Sequence, residues 1–454
     1  MSKESQIIKL DAIAESLNSG AMLKAKLILN GLHPAEIARL LESSPTRQRR
    51  LIWEMLDHKN DGEVLLEVGE EVRNNLMESM DEESLLAATK GLDVDDLADL
   101  LEELPETVVK QALKGMDYQY RTRLETVMNH DDDTAGGLMN TDTITIRPDV
   151  TLDVVLKYLR LKKDIPQNTD NIIVVDRYNH YLGTLSVTSL LCEDPEKTVS
   201  ESMNKNYISI KSDALANDVV NIFEDRDLVS APVVDKNNIL LGRITIDDVV
   251  DVIREESEST VLNMAGLTDE EDIFAPIIPS ARRRAIWLGV NLITALLASG
   301  VISLFQDTIE KVVALAVLMP IVASMGGIAG SQTLTLVIRG IALGNISTTN
   351  SKSLLIKEIA VGLLNSLLWA SVIGVLSSYW FNNYLIGVVI GIAMIANLGF
   401  AALSGVLIPI FLKKLGVDPA LGGGVILTTI TDVIGFFSFL ASVSYTHLTL
   451  PTKA

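Results

Sequence analysis

The sequence predicts a multidomain membrane protein. It would consist of an all-α superhelical N domain, an α/β pair of similar halves, a connecting helix and a five-helix α transmembrane domain. Three observations lead to this prediction. A helical repeat occupies the N-terminal part, an α/β repeat follows it, and the last third holds five long apolar runs with few charges. Each run has the roughly 20 apolar residues that a helix needs to cross a bilayer.

Charge is divided unevenly along the chain. From Ala281 onward there are ten bases and five acids, which leaves 28 bases and 54 acids in residues 1–280. Such an acidic region repels phosphate backbones and argues against nucleic-acid binding. The single cysteine, Cys192, excludes an internal disulfide and a four-cysteine zinc site.

Residues 1–130 are predicted to form a domain of repeated helices. Segment 31–45 recurs 60 residues later as segment 91–105, with apolar residues at helical spacing in both copies. Asp93 and Asp96 have the spacing of a capping box at the start of a helix. Stacked helix pairs in a short superhelix are therefore expected.

Residues 131–255 contain the second repeat, in which segment 172–186 matches segment 231–245 at an offset of 59. Each copy has the pattern of a strand, a turn with Asn, a second strand and a helix. This part resembles a tandem CBS-domain pair. In such domains a [Ser/Thr]-x-x-Asp element can hold an adenosine ribose. The resemblance therefore implies a nucleotide site at Thr245 and Asp248, with ATP as candidate ligand, and a structural or ion-sensing pair is the alternative.

Acidic residues cluster on the second α/β half and at the start of the connector, which we predict to be a helix over 256–280. Asp248, Asp251 and Glu255 would share one face of a helix, where like charges repel unless a cation neutralises them. These features predict a divalent-cation site, and a solvated acidic face is the alternative. The candidate sensor residues in this region are Asp213, Asp218, Asp225, Asp247, Asp248, Asp251, Glu255, Glu256 and Glu258.

The transmembrane domain is predicted over residues 281–442. Lys and Arg are concentrated before the first span and in alternate loops, so the positive-inside rule places residues 1–284 in the cytoplasm. The predicted spans are 285–305, 312–337, 358–380, 384–412 and 420–442.

Asp432 is the one ionisable residue well inside a predicted span. A carboxylate at that depth is costly and usually faces a cation or a water-filled path, although a protonated Asp bonded to a neighbouring helix is the alternative. Thr428, Thr431 and Asn397 are further candidate pore ligands. Oxygen ligands without His or Cys suit Mg²⁺, Mn²⁺ or Ca²⁺. Because one Asp is little charge for a divalent ion, a homodimer with two around one axis is expected.

Taken in order, the chain resembles the MgtE magnesium channel family. The most specific motifs lie in 319–332, 397–399, 416–420 and 428–435, and the CBS pair precedes the membrane part. The resemblance implies a homodimeric Mg²⁺ channel of the cell (inner) membrane, in contact with lipid, with Asp432 as the pore carboxylate. It also implies closure when cytosolic Mg²⁺ binds acidic interfaces of the N domain, CBS pair and plug helix. The candidate sensors that it adds on the N domain are Asp93, Asp95, Asp96 and Asp99.

Two other functions remain open from the sequence. One is a proton-coupled divalent-cation carrier that uses Asp432, and the other is a CBS-regulated membrane sensor without transport. A carrier usually has several buried ionisable groups and repeat symmetry among its spans, and the sequence shows neither. An enzyme is disfavoured because no nucleophile–base pair is visible. Mn²⁺ and Co²⁺ stay candidate ions beside Mg²⁺. Residues 443–454 are interpreted as a non-native tail.

Overall fold

The computed structural model describes residues 22–162, 165–166, 168–267, 272–346 and 349–449. The chain divides into two compact units. The first unit comprises Met1–Ser257 with Glu270–Pro276, and the second comprises Glu258–Asp269 with Ile277–Ala454.

The first unit begins with short helices that confirm the predicted helical repeat. The matching segments form α2 (Pro34–Glu42) and α7 (Val94–Glu102). The buried residues of α2 recur 60 positions later in α7: Ile37, Ala38, Leu40 and Leu41 correspond to Leu97, Ala98, Leu100 and Leu101. Equal burial in both copies shows that the repeat reflects one packing pattern used twice. The N-terminal helices are α1 Met22–Leu29, α2 Pro34–Glu42, α3 Thr46–Met55, α4 Asp61–Glu67, α5 Glu70–Met77, α6 Glu82–Ala88, α7 Val94–Glu102, α8 Glu106–Gly115 and α9 Tyr118–Val127.

The rest of the first unit is the predicted α/β repeat. Each half has a three-stranded sheet with a parallel pair followed by an antiparallel pair, in the orders β1-β2-β3 and β4-β5-β6. The elements are β1 Thr145–Ile146, α10 Leu152–Lys162, β2 Asn171–Val175, β3 Tyr181–Ser186, α11 Val187–Cys192, α12 Val199–Ser202, β4 Ile210–Lys211, α13 Ala216–Arg226, β5 Ser230–Val234 and β6 Leu240–Thr245.

The two halves are related by their hairpin turns as well as by their sheets. Asn179 and Asn238 occupy equivalent turns, both with positive φ (67° and 64°), a conformation that Asn tolerates better than most residues. The Asn179 side chain donates to the Leu240 carbonyl at 3.1 Å, and the Asn238 side chain donates to the Tyr181 carbonyl at 2.9 Å. This exchange ties the two halves into one body.

The connector is helical over only part of its predicted range. Helix α14, Ile246–Met264, runs directly on from β6, and the next helix begins at Ile277. Gly266 has φ +72°, a left-handed conformation that suits glycine after the end of a helix. The prediction of one helix over 256–280 therefore holds as far as Met264.

Within the described residues of the second unit, five helices are long and apolar enough to cross a membrane. This confirms the predicted five-helix domain, although each helix is longer than its predicted span. The last helix includes residues 443–449 of the proposed tail, and residues 450–454 lie outside the described part. The elements are α15 Ile277–Ser303, the short α16 Gln306–Lys311, α17 Ala314–Ala342, α18 Ser351–Trp380, α19 Tyr384–Lys414 and α20 Pro419–Thr449.

Candidate functional site

Three carboxylates crowd the first turn of α7. Asp93, Asp95 and Asp96 each place one carboxylate oxygen within 4.8 Å of the others. Asp93 is the N-cap residue, but its side chain makes no capping hydrogen bond, so the predicted capping box is wrong. Its carboxylate belongs to the acidic group instead. The positive end of the helix dipole offsets part of the mutual repulsion there.

The first turn of α14 supplies acids whose charges act on this group. The backbone N–H and the hydroxyl of Thr245 donate to Asp248 Oδ2 at 2.9 and 3.0 Å, and the same hydroxyl also lies within hydrogen-bond reach of Asp247. The Asn168 amide donates to Asp247 Oδ2 at 2.9 Å. These contacts fix the two carboxylates at the start of α14.

The two acidic turns are coupled electrostatically through Asp95 and Asp248. Asp95 is only 9% exposed and accepts a hydrogen bond from the Asn140 amide at 3.1 Å. Burial, followed by the charge of Asp248, raises the pKa of Asp95 to about 8. Burial also raises the pKa of Asp248 to about 7, and the charges of Asp247 and Asp96 add to this effect. Ionised carboxylates are therefore unfavourable here without a cation.

The acidic group extends along both helices. Burial raises the pKa of Asp96 to about 6, and the charges of Asp93, Asp99, Asp247 and Asp251 act in the same direction. Burial also raises the pKa of Asp99 to about 6, with further increases from the charges of Asp132, Glu102 and Glu255. The predicted residues on α7 and at the start of α14 are thus within electrostatic reach of one another. We call Asp93, Asp95, Asp96, Asp99, Asp247, Asp248, Asp251 and Glu255 the acidic interface.

Sequence reasoning missed several members of this neighbourhood. Asp142 and Asp132 contribute negative charge next to Asp93 and Asp99, respectively, and Glu102 shares a hydrogen bond with Asp132 that raises the pKa of Glu102. Asp132 belongs to the run Asp131–Asp133 in the loop after α9. That run of three acids was the available signal.

Other predicted sensor residues lie outside the acidic interface. Asp213 is exposed with Lys236 at 3.6 Å, and Asp218 and Asp225 are exposed on α13. The acids whose charges raise the pKa values of Asp95 and Asp96 do not include these three. Glu256 is exposed on α14 and Glu258, in the second unit, is also exposed. The structure therefore brings together one part of the predicted set.

The donor set of the acidic interface fits a hard divalent cation. Its candidate ligand atoms are carboxylate oxygens, and Mg²⁺ and Ca²⁺ prefer oxygen. A bound cation would supply the positive charge that balances these crowded carboxylates, of which Asp95 is buried and most others are partly or fully exposed. Because the carboxylates must be ionised to bind it, cation binding would displace protons.

The raised pKa values give an expected pH dependence. Each Asp binds a proton more tightly in this folded arrangement than its ordinary pKa of 3.8 allows. Without a cation, the stability of the first unit should fall as pH rises from about 4, and it should level off above about 8. Thermal unfolding of the full chain in EDTA across this pH range measures the effect. Millimolar Mg²⁺ should flatten the curve, and a stability that rises with pH in EDTA would contradict the expectation.

In the second unit, the four predicted pore residues differ in exposure. Asp432 is half-buried and Thr428 is exposed on α20, whereas Thr431 and Asn397 are 0% exposed. The Thr431 hydroxyl donates to the Thr428 carbonyl at 3.0 Å. Asp432 and Thr428 are thus accessible at the surface of a single chain, whereas Asn397 and Thr431 are enclosed within it.

Asn397 lies where three helices approach closely. Its amide N–H donates to the Val322 carbonyl at 2.7 Å, and its Oδ1 is buried without a hydrogen-bond partner among the described residues. A Cβ added at Gly326 would lie 2.2 Å from Asn397 Nδ2, and one at Gly435 would lie 2.8 Å from the same atom. Two glycines are therefore required for Asn397 of α19 to fit against α17 and α20.

The second unit also contains a buried carboxylate, Glu358, that the sequence pattern did not predict. Glu358 is 6% exposed, accepts a hydrogen bond from the Thr333 hydroxyl at 3.4 Å, and lies 3.4 Å from Lys357 Nζ. The predicted span began at this residue, but α18 begins at Ser351, so Glu358 lies two turns inside the helix. Its pairing with the neighbouring lysine explains how a charged group is accommodated there.

The end of α14 contacts the loop that precedes α20. The Asn263 amide donates to Asp418 Oδ2 at 3.0 Å, and Asp418 Oδ1 accepts the backbone N–H of Ala420 at 2.9 Å. Asp418 therefore caps the N-terminus of the helix that carries Asp432 while it is also bound by the connector. Trp287 of α15 packs on Gly266, where an added Cβ would lie 3.3 Å from its ring.

Comparison with family profiles identifies three families in this chain. The divalent cation transporter family MgtE matches residues 319–442, the MgtE intracellular N domain matches 32–133, and CBS domains match 135–195 and 199–255. The matches follow the order of the elements described above and together cover most of both units.

Curated relatives agree over nearly the full length. The magnesium transporter MgtE of Thermus thermophilus is 28% identical over 435 residues, which is 95% of this chain and 96% of the relative. That of Bacillus subtilis is 28% identical over 425 residues, 93% of this chain and 94% of the relative. Among solved structures, the cytosolic domain of the Mg²⁺ channel MgtE in complex with ATP is 27% identical, with a TM-score of 0.48. The match covers 54% of this chain and 99% of that domain.

Proposed function

The chain belongs to the MgtE family of divalent cation transporters, and we propose that it is a Mg²⁺ channel that closes when cytosolic Mg²⁺ binds its acidic interface. The observation that carries the proposal is the pairing of two features in one chain. Carboxylates of α7 and α14 lie close enough to repel one another in the first unit, and an accessible carboxylate lies within the last membrane helix of the second.

Asp432 and the exposed Thr428 are the proposed residues of the ion path. A partly exposed carboxylate on an apolar helix needs a polar partner, and a hydrated cation provides one. Because this face of α20 is open in a single chain, we propose a homodimer in which two such faces border one path. Asn397 and Thr431 are enclosed, so we propose that they position α17 and α20 and do not bind the ion directly.

The acidic interface is the proposed sensor. Without Mg²⁺ its carboxylates repel each other, and Mg²⁺ would convert that repulsion into attraction between α7 and α14. Linkage requires that Mg²⁺ bind the closed state more tightly than the open one. Exposed oxygen ligands give weak sites, which suits sensing of millimolar Mg²⁺.

We place residues 1–284 in the cytoplasm of a cell (inner) membrane on the basis of the Lys and Arg distribution. Single-channel recording of the purified protein in lipid bilayers, with Mg²⁺ as sole permeant cation, tests the function. Discrete openings that disappear as Mg²⁺ rises on the side of the first unit are expected. Flux that requires a proton gradient would indicate the carrier instead. A single-chain mass of the active protein in mild detergent would contradict the dimer.

We also propose ATP as a second ligand of the CBS pair, through Thr245 and Asp248. The support is the Thr245-x-x-Asp248 element at the junction of β6 and α14, where both residues already contact each other. Asp248 also belongs to the acidic interface, so nucleotide and Mg²⁺ would affect the same carboxylate. Titration of ATP into the full chain with and without Mg²⁺ tests for binding and for this coupling.

The contact between Asn263 and Asp418 gives an expected effect on closure. Asp418→Asn keeps an oxygen to cap Ala420 but replaces the acceptor for Asn263 with a second N–H donor. A hydrogen bond contributes about 1 kcal/mol, so the Mg²⁺ concentration for half-closure should rise about fivefold.

The compensating change Asn263→Asp restores a donor–acceptor pair and provides the control. Half-closure of the Asn263→Asp/Asp418→Asn double variant should return toward the wild-type concentration in flux measurements. Equal closure in the single, double and wild-type proteins would show that this contact does not transmit the signal.

A further inference from the structure

A buried ion pair joins the N-terminal helices to the residues that lead into the first membrane helix. Arg49 Nη1 lies 2.8 Å from Asp272 Oδ2, and Arg49 Nη2 lies 3.1 Å from Asp272 Oδ1. The two side chains are 2% and 3% exposed. Asp272 precedes Ile277, the first residue of α15, by five positions, and 223 positions separate it from Arg49.

Arg49 is held in place by the N-terminal helices themselves. Its Nε donates to the Leu41 carbonyl at 2.9 Å and its Nη2 donates to the Ser44 carbonyl at 3.3 Å. These carbonyls lie at the end of α2, where helix carbonyls lack partners within the helix. The guanidinium is therefore fixed in orientation and can form a bidentate hydrogen-bonded pair with a carboxylate.

The segment around Asp272 makes further contacts with the same helices. The backbone N–H of Asp272 donates to Glu71 Oε2 at 2.7 Å, and the Thr46 hydroxyl donates to the Phe274 carbonyl at 3.2 Å. The Phe274 N–H donates to Asp272 Oδ1 at 2.9 Å. Residues of α3 and α5 thus hold the Asp272 side chain and the backbone of Asp272 and Phe274 in segment 272–276, which we call the strap.

The strap and the acidic interface should respond differently to the loss of a cation. The acidic interface opposes like charges, whereas Arg49 and Asp272 are of opposite charge, buried and hydrogen-bonded. Removing Mg²⁺ leaves the like charges of the acidic interface unbalanced and weakens that contact. It does not alter the attraction between Arg49 and Asp272. Since unpairing a buried ion is strongly unfavourable, the strap should stay attached when the acidic interface opens.

We propose that the Arg49–Asp272 pair is a permanent latch that keeps the strap on the N-terminal helices in both gating states, so that movement of these helices is passed directly to α15. This inference rests on the proposed function. It gives the N-terminal helices a connection to the membrane helices that does not run through α14.

Hydrogen–deuterium exchange of the full chain in lipid tests the permanence of the latch. Peptides that contain Asp272 and Phe274 should remain protected with and without Mg²⁺, while exchange at the start of α7 and α14 should rise when Mg²⁺ is removed. Equal loss of protection in the strap and in the acidic interface would overturn the proposal.

Transmission to α15 can be tested without altering the ion pair. A Gly-Ser insertion of about eight residues between Pro276 and Ile277 spans roughly 15 Å as a flexible chain and slackens the link from strap to helix. It should raise the Mg²⁺ concentration for half-closure at least threefold. The matched control is the same insertion after Leu267, which leaves that link intact and should close at the wild-type concentration.

The two failures are distinguishable. If the wild-type chain does not conduct Mg²⁺ or does not close, the proposed function fails. If it closes normally and the insertion after Pro276 has no effect, the latch alone is refuted. Arg49→Met and Arg50→Met provide a matched pair of substitutions, because Arg50 is exposed and its neighbour is buried. Exchange in the strap should rise for Arg49→Met alone, and unchanged protection would also refute the latch.

Discussion

Asp432→Asn is expected to abolish Mg²⁺ conduction while the protein remains folded. The substitution retains the size of the side chain and removes the charge from the accessible face of α20. A hydrated divalent ion that crosses an apolar region needs a compensating negative charge, so losing it in both copies of a dimer should reduce flux by orders of magnitude. Uptake of Mg²⁺ into liposomes measures the effect, and a thermal unfolding curve verifies the fold.

Asp307→Asn is the matched control for this variant. Asp307 is an exposed acid in the short helix α16 of the same unit, and its neutralisation should leave flux unchanged. Normal conduction by Asp432→Asn would show that the carboxylate does not attract the ion, and the alternative of a protonated side chain bonded within the bundle would then be preferred.

The second large effect is expected from Asp95→Asn combined with Asp248→Asn. These two residues lie at the centre of the acidic interface, and each loses a ligand oxygen with negative charge. Coupling between allosteric sites usually amounts to about 5- to 150-fold in affinity, so half-closure should move upward by a factor in this range or vanish. Protease protection of the first unit should shift together with flux.

A second measurement on the same double variant separates charge repulsion from misfolding. Above a pH of about 8, where wild-type Asp95 ionises, the variant in EDTA should unfold at a higher temperature than the wild type because the repulsion has been removed. Asp213→Asn with Asp218→Asn is the control, since these exposed acids were predicted as sensors but lie outside the acidic interface. Closure at the wild-type Mg²⁺ concentration in the Asp95/Asp248 variant would exclude this interface as the sensor.

Repetition and hydrophobicity explain why the fold could be predicted. The offsets of 60 and 59 residues correspond to repeated burial in α2 and α7 and to repeated hairpins in the two sheets. Five apolar runs predicted five membrane helices because the length and hydropathy of a run determine whether a helix can span a bilayer. Boundaries were less accurate: α18 begins seven residues before the predicted span, and this difference placed Glu358 inside a helix.

The candidate site could be predicted only in part, because its members are brought together by packing. Asp248, Asp251 and Glu255 are recognisable from helical spacing. Asp142 joins the site only because separate elements pack together in the fold. The Arg49–Asp272 pair joins positions 223 residues apart and leaves no local pattern. The missing capping bond at Asp93 has the same origin, since its carboxylate is placed among other acids by the tertiary fold.

The close approach around Asn397 restricts how an ion path through the second unit can widen. At Gly326 and Gly435 there is no space for even a methyl group, so α17, α19 and α20 interlock at this level and cannot separate without losing that fit. We therefore expect the three helices to move together as one rigid block. Any widening must therefore occur along an outer boundary of the block, and the face that carries Thr428 and Asp432 is such a boundary. If the helices that border the ion path move as rigid bodies, the path changes width only when a whole body is displaced. A small shift of one body would then change the width of the path along its entire length.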